Sequence, residues 1–241
     1  MIVNKRNKHS DQIAEKLEQY YDCAGIYPDE RFHCPNNLIC SGKDLTRGMQ
    51  CHLGYNYGDT IKVVVSALDC GNGGADIIEK RTENVIKSHS NIHMKGTLNA
   101  VSLIIGKTPE DSVYYMAMIN ACKCCHRNSS CHLPKSYYEN CATHKIQEYR
   151  ILTPDIILFQ GKDTLSLAGC KNNIYEIEDS ELDSSLKKYL KRYSDNTIDC
   201  YAVICIHPSA RGRHIYKVKE FYNELFPKIA EYLRNKLNRK H

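Results

Sequence analysis

The sequence predicts an α/β fold of three layers, in which helices cover both faces of a central, mostly parallel, four-stranded sheet. Four short runs rich in apolar and β-branched residues alternate with segments of helical spacing, which is typical of a parallel sheet buried on both sides. Each run ends in a turn that carries polar residues, glycine or histidine. A chain of 241 residues can build one such sheet around its own core, so we expect a single domain covering residues 1–241.

The predicted elements follow one another in a regular order. The first helix covers residues 11–21, where apolar side chains share one face, and an irregular, cysteine-rich segment then extends to residue 60. Strands are predicted at 61–68, 113–119, 155–159 and 200–206, and helices at 96–105, 137–151, 162–168 and about 214–237. The polar stretch 170–198 is predicted to be an insertion with one helix near 180–192.

Composition excludes some classes of protein and permits others. The formal charge is +5, from 33 basic and 28 acidic residues, and this mild excess permits binding to a polyanion without requiring it. No apolar run reaches the length of a membrane span, about 18–20 residues, so we expect no membrane partner. The N-terminus is polar and basic, without the apolar stretch of a signal peptide, and free thiols in such number favour a reducing compartment. We therefore expect a cytoplasmic protein.

Thirteen cysteines fall in a pattern that predicts a metal centre. Two groups lie in irregular segments on either side of a predicted strand, which is typical of a metal or iron–sulfur site that joins distant segments. Disulfides are the weaker alternative, because a chain of this length needs no covalent cross-links and shows no signal peptide. The groups are Cys34, Cys40 and Cys51, and Cys122, Cys124, Cys125, Cys131 and Cys141.

A polar side chain follows each of the four predicted strands. These residues are Asp69, Asn120, Gln160 and His207. Ligands of open α/β sheets bind outside the carboxyl ends of the strands, so we expect the four side chains to converge on one crevice. A lone Asp or Asn at a strand end is more often a turn or capping residue, so the prediction rests on the four residues together.

Four segments occur in a fixed order along the chain: VVVSALDCG at 63–71, INACKC at 119–124, LTPDIILFQG at 152–161 and IHPSARGRH at 206–214. As an ordered set they resemble the uracil-DNA glycosylase superfamily, and in particular its iron–sulfur branch (families 4 and 5). The resemblance covers roughly residues 30–235 and rests on the order and spacing of the set, since no single motif is specific. The sequence departs from the family at Ala67 and Cys70, where members carry glycine and proline.

The resemblance implies a monofunctional enzyme that removes a pyrimidine base from DNA and leaves an abasic site. Uracil is the leading candidate for that base. The base must leave the helical stack before its sugar bond can be reached. By the same resemblance Asp69 orients the attacking water, and Asn120 reads the O4 and N3–H edge of uracil. His207 stabilises the negative charge that develops on the leaving base.

Further site residues follow from the same motifs. His93 is the predicted stacking partner of the base, with Tyr55 and Tyr57 as alternatives. Arg211 and Arg213 are predicted to bind DNA, either by filling the gap in the duplex or by holding phosphates. The motif positions that line the substrate are Ala67, Gly71 and Ser209.

The resemblance also implies a [4Fe–4S] cluster, with zinc as the alternative that four cysteines equally suit. Cys124 and Cys141 match the mid-chain ligands, and Cys34 and Cys40 are the predicted N-terminal pair, with Cys51 as a competitor for Cys40. The cluster is expected to be structural, joining the N-terminal loop to the segment 120–141. The Cys/His-rich patch at 122–132 stays unassigned.

Two other functions remain open from the sequence. The departures at Ala67 and Cys70 and the long loop 72–95 suit a pocket for a modified pyrimidine, such as the modified cytosines of phage DNA, in a defence enzyme. A non-catalytic nucleic-acid-binding iron–sulfur module is the second alternative. DNA is the expected partner and a monomer the expected state. The sequence does not distinguish single-stranded from double-stranded DNA.

Overall fold

The computed structural model describes residues 5–34, 45–68, 76–87, 92–126, 134–167, 169–208, 210 and 215–238. The strands are β1 (Leu45–Gly48), β2 (His52–Leu53), β3 (Val63–Ala67), β4 (Met116–Asn120), β5 (Cys124–His126), β6 (Ile156–Gln160), β7 (Ile174–Tyr175), β8 (Leu190–Ser194) and β9 (Asp199–Cys205). The helices are α1 (Lys8–Ala24), α2 (Ile78–Lys87), α3 (Ile92–Ile105), α4 (Pro109–Ser112), α5 (Lys135–Leu152), α6 (Lys162–Leu167), α7 (Ile215–Glu220) and α8 (Phe226–Asn238). In these ranges no helix is both long and apolar enough to cross a lipid bilayer.

The main sheet confirms the α/β class but not the predicted number and direction of strands. It has seven strands in the order β2-β4-β3-β6-β9-β8-β7. The four predicted strands β4, β3, β6 and β9 are adjacent and parallel, whereas β2, β8 and β7 pair antiparallel. The prediction of a four-stranded, mostly parallel sheet is therefore wrong. Strands β2 and β7 were missed because they have two residues each, which is too short for a periodic signal.

Each face of the central strands packs against its own layer of helices. Every residue of β3, β4 and β6 is buried, as expected for parallel strands covered on both sides. Side chains alternate between the faces, so Val64 contributes to the core that includes Leu17 of α1 and Tyr149 of α5. Val63 contributes to the opposite core, formed largely by α3 and α8.

The segment 170–198 contains strands in place of the predicted helix. A short 3₁₀ turn at Lys171–Asn173 leads into β7, and β8 covers the end of the stretch for which a helix was predicted. Asp179 accepts a hydrogen bond from the backbone N–H of Glu181, and Asp183 accepts one from Ser185. Such local bonds compete with helix formation, so the charged composition of this segment was misleading.

The long C-terminal helix is interrupted by a wide turn. The predicted single helix is divided into α7, a π-helical turn at Phe221–Leu225, and α8. Pro227 follows the turn, and because proline has no N–H, it cannot donate to the carbonyl four residues earlier. The wide turn directs the Tyr222 hydroxyl to the carbonyl of Ile206, at a distance of 2.6 Å.

Candidate functional site

Predicted site residues meet at the carboxyl edge of the parallel strands. Ala67 and Asn120 are the last residues of β3 and β4 and face each other in register. Gln160 ends β6, which pairs with β9, and His207 follows β9 by two residues. Asn120 and Gln160 are buried, while His207 is exposed. The edge therefore presents an amide on each of two strands beside an accessible imidazole.

Two backbone hydrogen bonds join the ends of β3 and β4 beyond the strands themselves. The N–H of Ala121 donates to the carbonyl of Ala67 at 2.8 Å, and the N–H of Cys122 donates to that of Leu68 at 2.9 Å. Cys122 is the first residue of the thiol-rich segment, and Leu68 directly precedes Asp69. The predicted catalytic turn and the predicted cluster segment therefore start from the same hydrogen-bonded junction.

His93 and His207 form a stacked pair above this edge. Their ring centroids are 5.0 Å apart and the ring planes differ by 29°. Burial, and secondarily the neighbouring His207, lower the pKa of His93 to about 4. His93 is therefore neutral at physiological pH.

Gln160 connects the strand edge to the first turns of α3. Its Nε2 donates to the Thr97 hydroxyl at 2.5 Å, and that hydroxyl donates to the carbonyl of His93 at 2.9 Å. The buried Oε1 of Gln160 makes no hydrogen bond of good geometry. The Gln160 side chain still interacts with His93, and this interaction raises the histidine pKa, against the lowering effect of burial. A single amide thus orients the helix residue that stacks on His207.

Two contacts hold the backbone on either side of His207. A Cβ atom on Gly96 would lie 2.7 Å from the Cβ of Pro208, so only glycine allows α3 to approach so closely. Tyr222 donates its hydroxyl to the carbonyl of Ile206. The roles of Gly96, Thr97 and Tyr222 were missed in the sequence, although a glycine inside a helical pattern is a signal of close packing.

Several predicted site residues lie outside the described residues. They are Asp69, Gly71, Ser209, Arg211, Arg213 and Cys40. The alternatives Tyr55 and Tyr57 are described and lie away from the strand edge, since Tyr57 is buried with its hydroxyl on the carbonyl of Leu152. Tyr55 packs its ring near that of Tyr114, at the opposite end of β4. Of the predicted stacking residues, only His93 lies beside His207.

The mid-chain thiols lie together in the core on the α5 side of the sheet. Cys122, Cys124 and Cys141 are all buried there. The pKa of Cys141 is raised, first by its hydrogen bond with Cys122 and then by burial. The backbone N–H and the ammonium of Lys123 act in the opposite direction and favour the Cys141 thiolate, the form that binds a metal. Cys122 was not among the predicted ligands, yet it is in contact with one of them.

The N-terminal cysteine-rich loop returns alongside this thiol group. Strand β1 pairs antiparallel with β5, with Gly48 opposite Cys124, and the N–H of Met49 donates to the carbonyl of Lys123 at 2.7 Å. Residues 35–44 lie outside the described residues, and the chain is described again from Leu45. Strand β1, which begins there, is thus hydrogen-bonded directly to a segment that carries predicted ligands.

The donor set suits a thiolate-bound metal, although no complete site is assembled among the described residues. In that part of the chain no group of three or more His, Cys, Asp or Glu side chains is placed to hold a metal ion. The predicted set includes Cys40, which lies outside it. Soft thiolates are the ligands of iron–sulfur clusters and of structural zinc, and the residues brought together here are of that kind.

A buried ion-pair network supports the thiol segment. The ammonium of Lys123 donates a hydrogen bond to the carboxylate of Glu148, and the hydroxyl of Tyr21 donates another to the same carboxylate. All three side chains are buried. The Tyr21 oxygen in turn accepts the N–H of Cys51 at 3.2 Å. Burial, and secondarily Glu148, raise the pKa of Cys51 to about 12. Cys51 is therefore a buried thiol beside this network, and its raised pKa does not separate it from Cys141, whose pKa is raised as well.

No known family model matches this chain, and no curated protein is significantly similar to it.

Proposed function

We propose that this protein is a monofunctional DNA glycosylase that hydrolyses the N-glycosidic bond of a flipped pyrimidine, with uracil as the leading candidate substrate. The observation that carries the proposal is the stacked His93–His207 pair at the carboxyl edge of the sheet, the edge at which Asn120 and Gln160 end their strands. This edge is where α/β folds bind ligands, and it combines an amide for reading a base with an imidazole for stabilising its departure. The motifs that resemble those of uracil-DNA glycosylases assign Asn120 and His207 to these two roles.

In this mechanism His207 donates a hydrogen bond to a carbonyl oxygen of the base as negative charge develops there. Gly96 packs against Pro208, and Tyr222 holds the carbonyl of Ile206, so the backbone around the histidine is set before substrate binds. Such preorganisation lowers the barrier because the donor needs no reorientation during bond cleavage.

Asn120 and Asp69 complete the proposed reaction. The Asn120 amide offers one donor and one acceptor, which match the O4 and N3–H of uracil and mismatch the reversed pattern of cytosine. Asp69 directs a water toward the sugar carbon and stabilises its positive charge. The junction formed by Ala121 and Cys122 with β3 supports this role, because it sets where the turn bearing Asp69 begins.

Cys34, Cys40, Cys124 and Cys141 are the residues that would hold a [4Fe–4S] cluster, with zinc as the alternative. When bound, the cluster would supply a cross-link between the N-terminal loop and the mid-chain segment. Pairing of β1 with β5 supports this assignment, because it brings the two segments together. A thiolate site of this kind suits the reducing cytoplasm in which we place the protein.

The test is single-turnover release of base from a uracil-containing oligonucleotide. We expect His207→Ala to slow release by about 10²–10³-fold, the usual effect of removing one preorganised donor. Asp69→Asn is expected to slow it comparably. His9→Ala, at another exposed histidine, is the matched control and should be unaffected. Unchanged release in both His207→Ala and Asp69→Asn would overturn the catalytic assignment.

A modified pyrimidine is the second candidate substrate, and the identity of His93 favours it. An imidazole beside the base can hydrogen-bond to a polar substituent, which an all-carbon ring cannot. A panel of uracil, hydroxymethylated and glycosylated cytosine substrates separates the two candidates. Binding to DNA without release of any base would support the non-catalytic module instead.

A further inference from the structure

Large apolar side chains are exposed at the starts of α3, which carries His93, and of α7, the helix that follows His207. Six such residues are exposed in the described chain, and three of them lie at the start of α3 or of α7. They are Ile92, with 68% of its surface exposed, Ile215 with 46% and Tyr216 with 78%. Exposed apolar groups concentrated at one place mark an interaction surface, whereas scattered single residues do not.

The chain connects these residues to the stacked histidines, since α7 is the helix that follows His207. Ile92 directly precedes His93 in the chain. Helix α7 continues into the π-helical turn, whose Tyr222 bonds to the residue before His207, so Tyr216 lies only about 9 Å along the helix from that anchor. No residue of α7 is buried, and the helix begins eight residues after His207, on the chain that leaves the carboxyl end of β9.

The charge around Tyr216 indicates the chemistry of the partner. Lys217 and Lys219 are exposed on α7, and Lys95 is exposed on α3 two residues after His93. Exposed lysines on the helix that carries an exposed aromatic ring suit a strand of nucleic acid, whose phosphates bind the ammonium groups while a base stacks on the ring.

We propose that Tyr216 stacks on an unpaired base next to the nucleotide held in the crevice, so that the protein prefers single-stranded DNA to duplex. This inference rests on the proposed glycosylase function and adds the form of its substrate. In a duplex both faces of each base are covered by neighbouring bases, and only an unpaired strand offers a free face to the phenol ring.

The test is fluorescence anisotropy of a labelled single-stranded oligonucleotide without an excisable base, compared with its duplex, using the full chain. We expect Tyr216→Ala to weaken single-strand binding at least about fivefold and to leave duplex binding nearly unchanged. Tyr216→Trp should retain the affinity. Tyr175→Ala is the matched control, because Tyr175 is also exposed, at 53%, but lies on edge strand β7.

Salt dependence separates stacking from charge. Tyr216→Ala should lower the affinity equally at all salt concentrations, whereas Lys217→Ala and Lys219→Ala should each reduce the salt slope by about 0.7. Wild-type affinity in Tyr216→Ala, or equal losses for single strand and duplex, would overturn the inference. Absence of base release from every substrate would refute the glycosylase proposal alone, since the binding measurement does not depend on catalysis.

Discussion

Gly96 of α3 packs against Pro208 so closely that an added Cβ atom would lie 2.7 Å from the proline Cβ. This contact joins the helix that carries His93 to the segment that carries His207. The two histidines stack because their backbones are brought together one turn away from the rings. The geometry of the candidate site therefore depends on a residue that contributes no side chain to it.

Gly96→Ala is expected to impair catalysis more than stability. Alanine gains about 1 kcal/mol of helix propensity, which offsets part of the clash, whereas a shift of His207 by less than 1 Å slows base release roughly tenfold to a hundredfold. Single-turnover base release and thermal unfolding measure the two effects. Asn99→Ala, at an exposed position of the same helix, is the control. Unaltered base release in Gly96→Ala would mean that the contact does not position His207.

His93 makes stability depend on pH in a defined direction. Its pKa is about 4 in the folded protein against an ordinary value of 6.5, so the unfolded chain binds the extra proton between these values. The neutral ring therefore contributes its full stability above pH 6.5, and this contribution falls as pH drops toward 4, by at most about 3 kcal/mol. Between pH 7 and pH 4.5, the free energy of unfolding in urea should fall less for His93→Phe than for wild type. The reason is that His93 of the unfolded wild-type chain takes up a proton near pH 6.5, and phenylalanine cannot. Parallel losses in both proteins would contradict this.

The buried Lys123–Glu148 pair is expected to be essential to the fold around the thiols. Glu148→Gln leaves the Lys123 ammonium buried without its carboxylate, which typically costs about 3–5 kcal/mol. Glu139→Gln is the matched control, because Glu139 pairs with Lys135 on the surface of the same helix. That change should cost less than about 1 kcal/mol. Denaturant unfolding measures both, and similar losses would show that burial of the pair is unimportant.

Metal content tests the cluster assignment. Cys124→Ser and Cys141→Ser should abolish bound iron and the absorbance near ~400 nm that iron–sulfur ligation produces. Cys205→Ala, at a buried cysteine in the other core, should keep both. Cys122→Ser should also keep the iron, because Cys122 contacts a ligand without being one in this assignment. A colourless protein that contains zinc would show that the site binds zinc and not an iron–sulfur cluster.

The sequence predicted the central strands well and the periphery poorly. Runs such as 61–68 and 200–206 are continuous and β-branched because both faces of those strands are buried, which is a local signal. Strand β2 and the turns anchored by Asp179 and Asp183 depend on pairing partners distant in the chain or on side-chain caps. Helix α2 lies within the segment 72–95, for which a loop was predicted from its polar composition.

By itself the sequence determined which strand ends carry Asn120, Gln160 and His207, because residue order along a parallel sheet places those ends at one edge. Only the tertiary structure decided which helix residues meet them. His93 reaches His207 because Gly96 admits Pro208, and Cys122 reaches Cys141 because α5 packs on β4. Both contacts join segments far apart in the chain, so their geometry depends on close packing that periodicity does not encode.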